Sequence, residues 1–184
     1  FLLGQTSTRA EALLLVQRYR QENLDEALKR VTDRWDQILT KVQVKTPDAS
    51  VNLMLNRWLL YQTLFCRFWA RAAFYQAGGA FGFRDQLQDV MALCLSLPDT
   101  ARTHILRAAI RQFVEGDVQH WWLPHSGQGV RTRISDDKAW LAFAVAQYVE
   151  VSGDVEILEE AIPFLEAPSL TVEQHESFTV PMTS

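Results

Sequence analysis

An all-α architecture of antiparallel helices is what this sequence predicts. Apolar residues recur at three- and four-residue steps through most of the chain, which is the period of a helix with one buried face. Helix stops separate those stretches: Gly78-Gly79, Pro98, Gly153 and Pro163. Turn residues are scarce, with 8 Gly and 6 Pro in 184 residues, few for a sheet protein with many tight turns.

Ser7-Thr8 supplies a hydroxyl cap ahead of a helix over Ala12–Tyr19, since such side chains bond the free N–H groups of a first turn. A second helix spans Leu24 to about Val42, its stripe formed by Leu28, Val31, Trp35, Ile38 and Leu39. Lys45-Thr46-Pro47 breaks the pattern, because proline disfavours helix at the residue before it. Residues 1–45 therefore read as a helical entry segment or linker, and the main body as 46–184. A long helix from Ser50 to about Gln76 follows, then Phe83–Leu95 and Asp99–Phe113, the last with Asp99 as cap. Glu115–Ser135 reads as a long irregular segment. Asp136–Val151 is the next helix and Asp154–Ala161 a shorter one, while the tail after Ala167 has no period.

Composition narrows the partners. Hydrophobic residues make up 48% and charged residues 22% of the chain, a globular balance. The formal net charge is −4, with no basic footprint for nucleic acid or acidic membranes. The apolar stretch Val51–Ala77 is interrupted by Arg57, Arg67 and Arg71, so no run approaches the roughly 20 apolar residues of a membrane span. Phe1–Gly4 lacks the basic and apolar regions of a signal peptide and reads as the start of a piece cut from something longer. Cys66 and Cys94 make no metal-ligand spacing and read as small buried hydrophobes of a reducing compartment. The expected location is the cytoplasm, any inner-membrane anchorage belonging to other segments of a parent protein.

Three clusters carry candidate chemistry. Arg57, Arg67 and Arg71 fall within about 80° of helical arc; a guanidinium held there bonds neighbouring acids or faces a bound anion such as phosphate. Downstream of the glycines 78, 79 and 82, Arg84 with Gln88 and Asp85 with Asp89 form i,i+4 pairs on a polar arc. That arc is a helix-capping ion-pair cluster or a grip for a polyhydroxyl ligand, whose hydroxyls each donate and accept. In the third, Glu115–Asp137, adjacent Trp121 and Trp122 cannot both enter one core face, so one of them offers its ring to a ligand. His120 and His125 have no third ligand at a zinc spacing, so no metal is expected. Ser135-Asp136-Asp137 reads as a helix cap, or either Asp points back into the cleft.

These same blocks carry a family resemblance. Asn56-Arg57-Trp58, Tyr75-Gln76-Ala77-Gly78-Gly79, Gly82-Phe83-Arg84-Asp85-Gln86-Leu87-Gln88-Asp89, Glu115-Gly116-Asp117-Val118-Gln119-His120-Trp121-Trp122 and Arg131-Thr132-Arg133-Ile134-Ser135-Asp136-Asp137 resemble glycoside hydrolase family ninety-four. The wording is most like the phosphorylase-like C-terminal region of cyclic β-1,2-glucan synthases and the β-1,2-oligoglucan phosphorylases. The resemblance implies that 46–184 is the N-terminal part of a truncated (α/α)6 catalytic barrel, with 1–45 the helical connection into it.

It also implies inverting phosphorolysis of β-1,2-glucan, with inorganic phosphate as co-substrate and no cofactor. By resemblance Arg84 and Asp89 hold the donor glucose, Asp85 and Gln88 stand beside them, and His120, Trp121, Arg133 and Asp137 wall the sugar cleft. Arg71 is the weaker candidate for the phosphate side. The family's general acid lies in a Trp-Asn-Asp triplet, and this chain contains none. No catalytic residue is therefore assigned, and loss of an acid removes typically 10²–10⁴-fold of rate. The expected partners are a β-glucan oligosaccharide, phosphate and the remainder of the parent polypeptide; the alternative is a non-catalytic helical glucan-binding or interaction module.

Overall fold

A computed structural model describes residues 3–4, 6–69 and 79–183. The chain divides into two compact units, Phe1–Thr40 and Lys41–Ser184. The first holds helices α1 (Arg9–Gln21) and α2 (Leu24–Leu39). Thr8 caps α1 in a reciprocal box with Glu11, and Asn23 caps α2 by accepting from the Asp25 and Glu26 amides. Both caps satisfy N–H groups that a first turn cannot bond internally.

The second unit begins with a composite helix: α3 (Ala49–Leu53), a π-helical turn (Met54–Trp58), α4 (Leu59–Gln62) and a second π-helical stretch (Thr63–Trp69). Asp48 caps it. Helices α5 (Phe83–Met91), α6 (Pro98–Ala109) and α7 (Asp137–Ser152) pack on one another. They bury Phe83, Leu87, Val90, Ala101, Ile105, Ala108 and Ala144. Gly153 ends α7 in the left-handed conformation (φ 75°), which glycine adopts without steric cost. No described helix is long and apolar enough to cross a membrane.

The protein is predominantly helical, as its sequence predicts, but it also carries a small antiparallel sheet. Its strands are β1 (Phe81–Gly82), β2 (Gln119–Trp122), β3 (Gly129–Thr132) and β5 (Glu176–Thr179), in the order β1-β2-β3-β5. A two-stranded ladder pairs β4 (Leu165–Glu166) with β6 (Met182–Thr183). So Glu115–Ser135 is not irregular: it folds into the β2–β3 hairpin, and the tail after Ala167 supplies two short strands, β5 and β6. Pro98 opens α6 rather than only ending what precedes it, because its fixed φ suits the first helical position. Asp99 consequently lies inside the first turn, and Leu97 holds the cap position. The helix expected over Asp154–Ala161 is a single 3₁₀ stretch, Val155–Glu159, with Ile157 its one buried side chain.

Candidate functional site

Strand β1 runs without a break into α5, so the strand's partner and the helix's first turn lie side by side. Phe81 pairs with Trp122 and Gly82 with Trp121. Trp122 is fully buried and meets Phe81 edge-on at 5.8 Å. Trp121 turns to the opposite face and stays half-buried, as alternation along a strand requires. Ala80, Gly82, Phe83, Arg84, Asp85, His120 and Trp121 line a concavity of about 310 Å³.

His120 reaches this concavity through a bulge. Gln119 pairs with Arg131 and Trp121 with Val130, so His120 is an extra residue in β2 without a partner of its own. Bulges re-aim side chains at sheet rims. Here the re-aimed imidazole meets α7, where His120 Nδ1 lies 2.7 Å from Asp137 Oδ2. Asp137 is 1% exposed, whereas 35% of the His120 side chain faces solvent. That hydrogen bond lifts the His120 pKa above its ordinary value; burial opposes it, the nearby Asp85 charge adds to it and Arg84 subtracts.

Arg84, exposed on the first turn of α5, donates from Nη1 to Asp136 Oδ2 at 3.0 Å. The same contact, ahead of all others, holds the Asp136 carboxyl below the usual carboxylate range. Asp136 occupies the cap position of α7, yet its side chain makes no capping bond. The cap expected at Ser135-Asp136-Asp137 therefore does not form: both carboxylates point back across the chain, Asp136 to Arg84 and Asp137 to His120.

The remaining predicted residues are distributed as follows. Asp89 is buried on the inner side of α5, where Arg67 Nε donates to both its oxygens at 2.8 and 3.1 Å. Arg67 belongs to the second π-helical stretch, and of the two readings of the arginine arc this contact matches the bonded one. Gln88 is exposed one turn beyond Arg84, outside the lining. Arg133 is the clear departure from a shared cleft. Its guanidinium donates to the carbonyls of Leu170, Thr171 and Gln174 and lines a different depression. It follows the buried Arg131 and Thr132 out of the sheet, and so pins the tail instead of walling the concavity. Arg71 lies outside the described residues.

Some contributors were not singled out by sequence. Arg131, 1% exposed, donates to Asp117 and Glu115 and to the carbonyls of Ala167 and Pro168, and its guanidinium lies 4.1 Å from the Phe113 ring centre. A buried His104–Gln86 pair, with the His104 ring 4.4 Å from that of Phe68, sits beneath α5. Burial is the property that distinguishes both, and single residues do not announce it. Cys94 is buried and Cys66 half-buried, so only the first is the core residue expected of both. Among the described residues no His, Cys, Asp or Glu cluster could hold a metal ion.

A guanidinium, an imidazole, a carboxylate and an indole face meeting at the end of a helix describe a polar, aromatic-walled pocket on a helical scaffold. The chain belongs to the glycosyl hydrolase 94 superfamily, whose catalytic-domain model matches residues 34–181. It is 50% identical over 181 residues, 98% of its length, to a cyclic beta-(1,2)-glucan synthase of Rhizobium meliloti, of which it spans 6%. It is 34% identical to a solabiose phosphorylase of Paenibacillus borealis, over 73% of this chain and 16% of that one. With an N,N'-diacetylchitobiose phosphorylase of Vibrio furnissii the identity is 27%, over 83% and 22%.

Proposed function

We propose that these residues form part of the donor-glucose wall in an enzyme that cleaves β-1,2-glucan by inverting phosphorolysis. The observation that carries the reading is the convergence of Arg84, Asp85, His120 and Trp121 on one concavity. Donors and an acceptor beside an indole face suit a pyranose, whose hydroxyls need both kinds of partner and whose C–H face is apolar. Half the sequence is shared with a beta-(1,2)-glucan synthase, which favours that linkage.

In the reaction proposed, a phosphate oxygen attacks the anomeric carbon from the face opposite the leaving sugar. The glucosyl–oxygen bond breaks, a general acid protonates the departing glycosidic oxygen, which leaves as a hydroxyl, and glucose 1-phosphate forms with inversion. Arg84, Asp85 and His120 hold hydroxyls of the glucose being transferred, and Trp121 covers one face of its ring. The acid is not among them. It is assigned to a Trp-Asn-Asp triplet that this segment lacks, so the 184 residues alone bind sugar without turnover.

The test is release of glucose 1-phosphate from β-1,2-glucan and phosphate. The full-length protein is expected to release it, and Arg84→Ala to reduce kcat/KM about 10–100-fold, as loss of a charged hydrogen bond of 1.5–3 kcal/mol requires. The segment alone is expected to release none. A full-length protein that binds glucan without turnover would make this a binding module; release by the isolated segment would overturn the assignment of the acid.

A further inference from the structure

The head of α7 places two consecutive carboxylates against Arg84 and His120 of the concavity. Asp136 meets Arg84 at 3.0 Å and Asp137 meets His120 at 2.7 Å. Neither caps the helix that they begin. Capping is the ordinary use of Asp at such a place, so both have been diverted to another task.

We infer that Asp136 and Asp137 are positioning residues, acting through Arg84 and His120, and that Asp137 fixes His120 with its Nε2 edge toward a neutral sugar. This rests on the reading of the concavity as a glucose site. Because Nδ1–H donates to Asp137, Nε2 is the nitrogen left for a ligand, and the described residues offer it no partner. The neutral ring accepts at Nε2, whereas the imidazolium donates there with charge assistance. Asp137 favours the second state, because its Oδ2 lies 2.7 Å from Nδ1 and accepts the Nδ1–H; its other oxygen has no described partner.

The groups facing His120 are Asp137 from α7, and Arg84 and Asp85 from the first turn of α5. Counted with Asp136, three carboxylates oppose Arg84 and a charged His120. The concavity thus has no excess positive charge to attract a free phosphate. It is built to give strong donors to an uncharged ligand, and phosphate belongs elsewhere in the enzyme.

Calorimetric titration of a β-1,2-linked gluco-oligosaccharide into the full-length protein tests this across about pH 5 to 9, the range in which a histidine titrates. Wild-type affinity is expected to weaken about fivefold as pH rises through the His120 transition, the difference between a charged and a neutral hydrogen bond. Asp137→Asn is expected to move that transition to lower pH. His120→Gln, at a half-exposed site that tolerates change, is expected to abolish it. Titration with inorganic phosphate alone is expected to show no competition for the oligosaccharide in wild type, and competition in Asp136→Asn, where Arg84 is released. A transition that survives His120→Gln, or a phosphate competition already present in wild type, overturns the inference while leaving the sugar site standing. A folded wild-type protein that binds no oligosaccharide at any pH overturns both.

Discussion

A methyl group added at Gly129 would lie 2.1 Å from the Trp121 carbonyl oxygen and 2.8 Å from Trp122 Cα, backbone atoms held by the β2–β3 pairing. They cannot yield separately. Gly129→Ala is expected to cost at least the 1–3 kcal/mol or so of an overpacked core, read as a lower urea midpoint. At Gly82 the corresponding clash, 2.6 Å, is with the end of the Asp85 side chain, which can swing away. Gly82→Ala is therefore expected to leave the urea midpoint nearly unchanged and to weaken oligosaccharide binding through a displaced Asp85. If both variants lose stability equally, Gly82 serves the fold and not the pocket. Gly82 stood out in the sequence among the glycines ahead of the polar arc; the close approach at Gly129 did not.

Among the elements, helices were legible, with Thr8 capping α1 and Gly153 ending α7; the caps at Asn23 and Asp48 were not singled out by sequence. The hairpin was not. Strands are usually recognised by alternation, but Gly129–Thr132 are all buried, and Gln119-His120-Trp121-Trp122 has its alternation broken by the bulge at His120. The end of α5 misled in another way. Leu93 and Cys94 stay buried in the turn that follows Met91, so the apolar pattern outlasts the helix. Arg131 then ties this hairpin to the tail. With 2% of its side chain exposed, it holds Asp117, Glu115 and two tail carbonyls. Arg131→Met is expected to lower the urea midpoint, because it strips Asp117 of its cation and two tail carbonyls of their donor. Limited proteolysis gives the check, with cleavage between Ala167 and Gln174 expected to accelerate well before α5–α7 are cut. Unchanged cleavage there would show that Arg131 does not hold the tail.

For the molecule as a whole, many large apolar side chains stand exposed. Leu53, Leu55, Trp58, Leu59 and Phe65, on the composite helix over 49–69, are each 45–68% exposed. Apolar exposure of this kind along one helix is the property of an interaction face. The 184 residues expressed alone are expected to bind a hydrophobic dye and self-associate, and Trp58→Gln with Phe65→Gln to reduce both. A monodisperse, dye-free wild type would contradict this. The thermal midpoint is also expected to fall at both ends of the pH scale. Asp136, Asp154 and Glu115 are held below the ordinary carboxylate range by Arg84, by Tyr148 with Arg102, and by Arg131 respectively. Their contribution is present above about pH 4 and is lost as pH falls through their folded values. His120, raised by Asp137, acts in the other direction. Its contribution is complete below about pH 6.5 and is lost as pH rises through its folded value. His120→Gln is expected to remove the upper decline and leave the acid one.

The most direct measurement is a crystal structure of the full-length protein with a β-1,2-linked glucose disaccharide and phosphate. One glucose ring is expected against Trp121, within hydrogen-bond distance of Arg84, Asp85 and His120 Nε2, with phosphate outside this concavity. A disaccharide held by other residues, with the concavity filled by solvent, would contradict the account.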